Sequence, residues 1–271
     1  MIEGVFSYAA LDPKGESAAA AARMEARATL PASEAMFEVL VRPLLELEPR
    51  RVLEVGCGTG ALAARIAAIA KRADVLATDK SEGMLERARS LRAGSRVRFA
   101  TWDASDPRAL SEDGFDLIVS SVMVPYLSEE AIAALVGDLA RRLAPGGALA
   151  FVEQDLQTDF LWIGDPALVA RVMAKDARSL GASWSLGLRP ALRAAGLEVA
   201  PRRSFLWATD EHVDYTRDLL AHLAADAARA GRVTEAERTR FLALAEEAHA
   251  RGDFAYGIVY HRALGRRVSR P

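Results

Sequence analysis

The 271-residue chain has a single cysteine, which excludes an intrachain disulfide framework and any cage of thiolates around zinc. Lysine is nearly as scarce. Only positions 14, 71, 80 and 175 carry it, so arginine supplies the remaining 31 of the 35 basic residues. No sign of charge dominates: 35 basic residues stand against 37 acidic ones, a net charge of −2, so no basic excess calls for nucleic acid or an anionic membrane. No apolar run reaches the roughly 18 residues of a membrane span, and the first residues lack a charged segment followed by an apolar one. These absences predict a cytoplasmic globular protein. A hydrophobic fraction of 51% over this length is ample for a core without cross-links.

What is present is a rhythm. After about 50 residues of helical pattern, with Pro31 as an interruption, Ser33 as a possible N-cap and Pro43 as a possible kink, short apolar runs recur at 52–55, 75–77, 97–100, 115–119 and 148–152. Helix-length segments at 61–70, 82–91 and 129–143 separate them. Continuous apolar strands alternating with helices predict a doubly wound α/β sheet, mostly parallel and covered on both faces. The last third reads as helices at 166–180, 188–195, 211–230 and 234–251, with strand-like stretches at 197–207 and 254–263. Thr234 and Glu237 have capping-box spacing. No repeat or linker divides the chain. The organisation expected is one domain over 1–271: an N-terminal helical lid (1–50), a ligand-binding core (51–155), then acceptor-side helices and the last two strands (156–271).

The most informative stretch is VLEVGCGTG at 52–60. Gly56, Gly58 and Gly60 follow a strand and open a helix, which allows positive φ, close approach of a ligand to the backbone, and free helix amides. Such turns bind nucleotides in open α/β sheets. Gly56, Gly58 and Ala61 also satisfy a loose dinucleotide pattern, so an NAD-binding oxidoreductase is one reading. Three carboxylates weigh the other way. Glu54 interrupts the first strand, where an acid needs a partner. Asp79 ends the second, where it can grip both ribose hydroxyls. Asp103 follows the third, with Trp102 as an apolar wall beside an adenine. Three acids at successive strand ends suit a cationic nucleoside with an amino acid tail better than a pyrophosphate.

With these residues in place, the sequence resembles the class I S-adenosylmethionine-dependent methyltransferases, in the small-molecule subgroup near the quinone-biosynthesis enzymes. The first motif is the glycine loop at 52–60. The second is ATDKS at 77–81 with Met84, the third WDA at 102–104, and the fourth FDLIVSS at 115–121. LAPGG at 143–147 resembles the family's turn before strand five, and YGIVYHRALG at 256–265 its final strand. The match spans roughly 50–155, and both flanks more faintly. The resemblance implies a seven-stranded Rossmann-like sheet with a C-terminal helical cap and S-adenosyl-L-methionine as cofactor. It implies that Gly56, Cys57, Gly58 and Gly60 pack on the methionine portion, Asp79 binds ribose, and Asp103 with Ala104 binds adenine. Lys80, Met84 and Trp102 would flank the adenosine, Ser120 would contact the amino acid end, and Glu54 would act near the ammonium. Tyr8 and Arg27 are candidates for the cofactor carboxylate.

Methyl transfer is a direct displacement, so a base is needed only when the acceptor holds its proton. The catalytic candidates leave strand ends on the cofactor side: Tyr126 after strand four, Glu153 and Asp155 after strand five. Asp155 and Asp159 can equally cap a turn. His212 and His222 read as surface or core residues on a cap helix, and His249 and His261 stay unassigned. Cys57 reads as a space-filler in a tight loop. No metal site is expected, since no ligand spacing is evident. Trp162, Trp184, Phe205 and Trp207 are expected outside the sheet core, as packing under the cap or as a pocket for an aromatic or natural-product-like acceptor. A non-catalytic module that binds S-adenosylmethionine remains a third reading. The expected partner is a small-molecule acceptor, with no nucleic acid and no membrane, for a monomer or homodimer.

Overall fold

The computed structural model describes residues 17–106, 110–124, 129–175 and 184–268. The first five apolar runs form strands β1 (Arg51–Val55), β2 (Asp74–Asp79), β3 (Val97–Thr101), β4 (Phe115–Ser121) and β5 (Leu143–Trp162). They lie parallel in the order β3-β2-β1-β4-β5. The chain reverses at the far edge, where β8 (Ala255–Arg266) runs antiparallel beside β5. The outer flank of β8 pairs with β6 (Glu198–Val199) and then β7 (Arg203–Thr209).

Seven strands were expected and eight are found among the described residues. The difference lies at Pro201, which has no amide to donate and sits in the three-residue interruption between β6 and β7. Both pieces pair with the same neighbour, so together they occupy the place of one strand.

Helices cover both faces. On one lie α2 (Pro31–Leu40), α3 (Arg42–Leu45), α4 (Ala61–Ile69), α5 (Glu82–Leu91), α7 (Pro166–Val172), α9 (Asp214–Arg229) and α10 (Glu235–Arg251). Their apolar residues, among them Phe37, Ile66, Leu85, Leu168, Leu220 and Phe241, pack on Val52, Val75, Val119 and Ala150 of the strands. On the other face α6 (Glu129–Arg142) and α8 (Trp184–Ala194) pack Leu135, Leu139, Leu188 and Leu192 against Leu53, Ile118, Leu149 and Phe151. Neighbouring strand residues thus face different core clusters, and both sides of the pleat are apolar. The first helix, α1 (Ser17–Ala28), packs beside α5 and α9.

Several local expectations change. Ser33 does not cap α2. Leu30 is the N-cap, with Pro31 at the first helical position, where its missing amide costs nothing. Ser33 Oγ instead donates to Arg27 O (2.7 Å) and accepts from Trp207 Nε1 (2.9 Å). Trp207 belongs to the core after all. It is fully buried on β7, with edge contacts to Tyr215 on α9 (5.7 Å) and Tyr256 on β8 (6.3 Å). Phe205 on the same strand packs partly against that core, Trp162 at the end of β5 is exposed and lies outside it as expected, and the side chain of Trp184 is outside the described residues. β5 continues about ten residues past the expected 152, because β8 offers it an antiparallel partner as far as Trp162. The expected capping box forms as predicted: Thr234 and Glu237 exchange side-chain and backbone bonds at the start of α10.

Trp207→Ala should cost about 3–5 kcal/mol, since it empties a buried aromatic site and leaves the Ser33 hydroxyl without its donor. Thr234→Ala should cost about 1 kcal/mol, the value of one helix cap. Urea denaturation of both variants tests this, and equal losses would contradict the anchoring role of Trp207.

Candidate functional site

The carboxyl ends of β1, β2, β3, β4 and β5 share one edge of the sheet, where open α/β folds hold ligands. The loop after β1 is fixed first. The amides of Gly56 and Cys57 donate to Thr78 O (2.8 and 2.9 Å), and Thr78 Oγ1 donates back to Glu54 O (3.0 Å). The amide of Gly58 then reaches Asp79 Oδ2 (2.8 Å), while Asp79 Oδ1 accepts from the amide of Ser81 (2.9 Å). Gly58 and Gly60 have φ of 51° and 71°, the left-handed region. A Cβ at Gly58 would lie 2.2 Å from Met24 Cε, and one at Gly60 would lie 2.6 Å from the ring of Phe99. The left-handed backbone strains any other residue at both positions, and the Phe99 ring crowds Gly60 further.

Burial raises the Asp79 carboxyl above the usual carboxylate range, against three backbone amides that favour its charge. Ser81 caps α5 through Met84 N (3.1 Å), and Met84 is buried with Ala20 and Ala21 of α1. Trp102 is buried, its Nε1 donating to Asp106 O (3.1 Å). Asp103 is exposed. Desolvation is the largest single influence and raises its carboxyl, but the amide and hydroxyl of Ser105 and the charge of Lys80 together outweigh it and hold the carboxyl low. Ala104 is half-buried beside it and Lys80 is exposed.

Two carboxylates have no ionic solution to their burial. Glu54 is buried in β1 and accepts from the amide of Ala63, yet its Oε2 has no partner among the described residues. Desolvation raises its pKa to about 8, with the charge of Asp79 adding to the effect. Glu153, also buried, takes the amides of Met123 (3.3 Å) and Val124 (3.4 Å) on Oε1, and its Oε2 is likewise without a partner there. Its pKa rises to about 8 through burial, opposed by those two amides and by the charge of Arg27. The hydroxyl of Ser120 at the end of β4 is a third orphan. Next comes Val122, whose φ of 55° is strained for a β-branched residue. The strained turn is held by Val122 N on Val152 O (3.0 Å) and by Glu153 on the two following amides.

Glu153 and Asp155 do not leave the end of a strand, as expected; both lie inside β5, because β8 prolongs it. Asp155 accepts from the amide of Gln157 (3.1 Å), the turn-capping alternative, and also lies 3.4 Å from His261 Nε2. Asp159 pairs with Lys175 (2.7 Å). Arg27 is half-buried on α1, close enough to lower both Glu153 and Tyr256 electrostatically. Tyr8 and Tyr126 lie outside the described residues. Cys57 is buried, and burial with the nearby charges of Glu54 and Asp79 pushes its thiol up, which suits a filler rather than a nucleophile. His212 is buried over Phe254, between Thr216 and Glu246, and desolvation lowers its pKa. The sequence reading missed His261, because only the strand register brings it opposite Glu153. Among the described residues no group of three or more His, Cys, Asp or Glu could hold a metal ion, and no helix is long and apolar enough to cross a membrane.

Residues 52–147 match the profile of a methyltransferase domain family. The chain is 34% identical over 165 residues to trans-aconitate 2-methyltransferase of Methylobacterium radiotolerans, covering 55% of this chain and 59% of the relative. It is 33% identical over 103 residues to malonyl-[acyl-carrier protein] O-methyltransferase of Methylococcus capsulatus, covering 38% of this chain and 37% of that one. The chain thus spans less than two thirds of the curated relatives it matches. A candidate methyltransferase from Bacillus halodurans shares the fold, with a TM-score of 0.52 at 17% identity over 84% of this chain and 98% of that one.

The two buried carboxyls make stability fall with pH. Unfolded, each titrates near 4.5; folded, near 8. The native state therefore holds extra protons between these values, and their stabilising contribution, full below 4.5, is lost as pH rises towards 8. Each group should remove about 1.4 kcal/mol per pH unit within that window. Urea unfolding at pH 5.5, 6.5 and 7.5 should show Glu153→Gln with a shallower decline than the parent. Parallel declines would rule out a buried, protonated Glu153.

Proposed function

We infer that this chain, whose residues 52–147 match a methyltransferase domain profile, is a class I S-adenosylmethionine-dependent methyltransferase that transfers a methyl group from S-adenosyl-L-methionine to a small-molecule acceptor by O- or C-methylation. The observation that carries the reading is the fixed juxtaposition of the Gly58 amide and the Asp79 carboxylate, 2.8 Å apart at the ends of β1 and β2. Around it stand the orphaned Glu54 Oε2 and Ser120 Oγ, two buried polar atoms that a cationic ligand with an amino acid tail would satisfy.

The residues fit such a ligand. Asp79 is held by amides with lone pairs left for ribose hydroxyls. Asp103 and Ala104 would take the adenine, with Trp102, Met84 and Lys80 beside the adenosine. Gly56, Cys57, Gly58, Gly60 and Ser120 would line the amino acid end, Glu54 would meet its ammonium, and Arg27 or Tyr8 its carboxylate. S-adenosyl-L-methionine supplies a methyl group on a sulfonium, ready for in-line displacement. What remains for the protein is alignment, plus removal of a proton where the acceptor holds one. The near-balanced charge supports a small acceptor over a nucleic acid. The oligomeric state expected is a monomer or homodimer.

Calorimetric titration with S-adenosylmethionine, S-adenosylhomocysteine and NADH tests this reading. Both adenosyl ligands should bind, and Asp79→Ala should weaken them about tenfold to a hundredfold, the loss of a charge-assisted hydrogen bond of about 1.5–3 kcal/mol. Binding of NADH alone would make the glycine loop a dinucleotide site. Glu54 adds a second signature. With a pKa of about 8 it is largely protonated at pH 7, and an incoming ammonium favours its charged form. Binding at pH 7 should therefore release protons, read as a dependence of the enthalpy on the buffer's ionisation heat. Glu54→Gln should abolish that dependence.

A further inference from the structure

Beyond the end of β4 the sheet narrows to β5, β8 and β7, and the pairing register brings their outward residues into rows on one face. Trp162 stands beside Ala255, Phe160 beside Gly257 and Ala208, and Leu206 beside Val259. Trp162 is 61% exposed, Leu206 53% and Phe160 41%. Gly257 makes the platform flat. A Cβ there would lie 2.5 Å from the ring of Phe160 and 3.1 Å from Ala208 Cβ, so only glycine lets the ring lie against the strand. With roughly 150–250 Å² per large side chain, the exposed parts sum to on the order of 300 Å². That suits a small ring system and is well below the roughly 800 Å² per partner of a stable dimer.

Beside it on the same face is a polar cluster. Ser204 of β7 stands beside His261 of β8, and Asp155 of β5, whose ladder partner is Val259, reaches His261 diagonally: His261 Nε2 lies 3.4 Å from Asp155 Oδ2 and His261 Nδ1 2.7 Å from Ser204 Oγ. A carboxylate only accepts, so Nε2 carries the hydrogen and Nδ1 presents its lone pair to the exposed hydroxyl of Ser204. Asp155 is itself fixed by Gln157 N. The cluster adjoins the ligand edge. Glu153 pairs with His261 in the ladder and holds the amides of Met123 and Val124, and Met123 lies against Gly56 of the glycine loop.

We propose that this face is the acceptor site: a flat, apolar aromatic molecule bearing an ionisable hydroxyl lies on Phe160, Trp162 and Leu206, and His261 Nδ1 takes its proton. The proposal rests on the methyl-transfer reading above and adds to it the acceptor class and the base. The acceptor hydroxyl takes the place of the Ser204 hydroxyl at Nδ1; its O–H bond breaks and its proton passes to His261, which returns it to solvent through Ser204. The acceptor oxygen forms a bond to the methyl carbon as the carbon–sulfur bond breaks, and that electron pair stays on sulfur, which becomes a neutral thioether. His261 is the catalytic residue and Asp155 a positioning residue.

The test uses the full chain with 2-naphthol as probe, in the parent, Leu206→Asp and His261→Ala. S-adenosylhomocysteine binding is measured by calorimetry, naphthol binding by fluorescence, and methyl ether formation with labelled S-adenosylmethionine. The expected result is unchanged S-adenosylhomocysteine binding in all three, with naphthol affinity down about tenfold in Leu206→Asp. His261→Ala should keep naphthol affinity but lose about a hundredfold or more in rate, partly restored by added imidazole. Its remaining rate should climb with pH as naphthol itself ionises, and the parent should reach its plateau at lower pH. The inference is overturned if S-adenosylhomocysteine binds but naphthol does not, or if both variants match the parent. It is equally overturned if the parent is a dimer that Leu206→Asp separates. Failure of the parent to bind S-adenosylhomocysteine brings down the methyl-transfer reading itself, and this inference with it.

Discussion

The hydrogen bond from the Gly58 amide to Asp79 ties the loop after β1 to the end of β2, and the geometry of the candidate site depends on it. The glycine loop cannot be held by side chains, because Met24, Met123 and Phe99 occupy the space where they would project. It is held by backbone instead: two amides on Thr78 O and one on the Asp79 carboxylate. The same carboxylate accepts from Ser81, the residue that caps α5. One acidic side chain thus sets the loop and the start of a helix while staying half-buried at the ligand edge. Its desolvation is opposed mainly by backbone amides, with the charge of Lys80 adding less, which leaves it lone pairs to accept from a hydroxylated ligand.

Glu54 and Glu153 follow another logic. Both are buried without a counter-ion in contact, both have one oxygen on backbone amides, and both keep one oxygen free among the described residues. Such groups hold protons at neutral pH and lower the stability of the native state as pH rises. A protein carries such a burden where the group does something that a leucine cannot. For Glu153 the structure shows the return: it secures a turn strained at Val122, beside the glycine loop. For Glu54 the free oxygen sits one strand away from Asp79, where a ligand's positive charge would offset its desolvation.

The parallel half of the fold was legible in the sequence because each strand there is a continuous apolar run and each intervening helix has its own signals. α5 was read to the residue, and the capping box of α10 formed as expected. The other half was less legible. No local pattern tells a chain that β5 will find an antiparallel partner beyond residue 152, so Glu153 and Asp155 read as loop residues when they are ladder residues. Ser33 looked like a helix cap because Ser ahead of an apolar run commonly is one, but Pro31 moved the start of the helix and left the hydroxyl for Trp207, 174 positions away. His261 was read as part of a final strand but given no role. Its significance comes from the sheet, in which register sets it beside Ser204 and Glu153 and a diagonal contact brings it to Asp155.

The two halves of the sheet also divide the chemistry. Parallel strands converge their carboxyl ends on one edge, so a ligand there meets loops, helix amides and acids from successive units. Antiparallel strands offer a face instead, on which side chains from three strands form rows across the ladder. The apolar patch of Phe160, Trp162 and Leu206 and the polar cluster of Asp155, His261 and Ser204 are arrangements that the parallel half cannot make, because its faces are already covered by helices. Glu153 is the hinge between the halves, a ladder partner of His261 on one side and an acceptor for the β4 turn on the other. A reaction that must join a bound group-donor to a second molecule needs two such surfaces in contact, and the reversal of strand direction at β8 supplies the second.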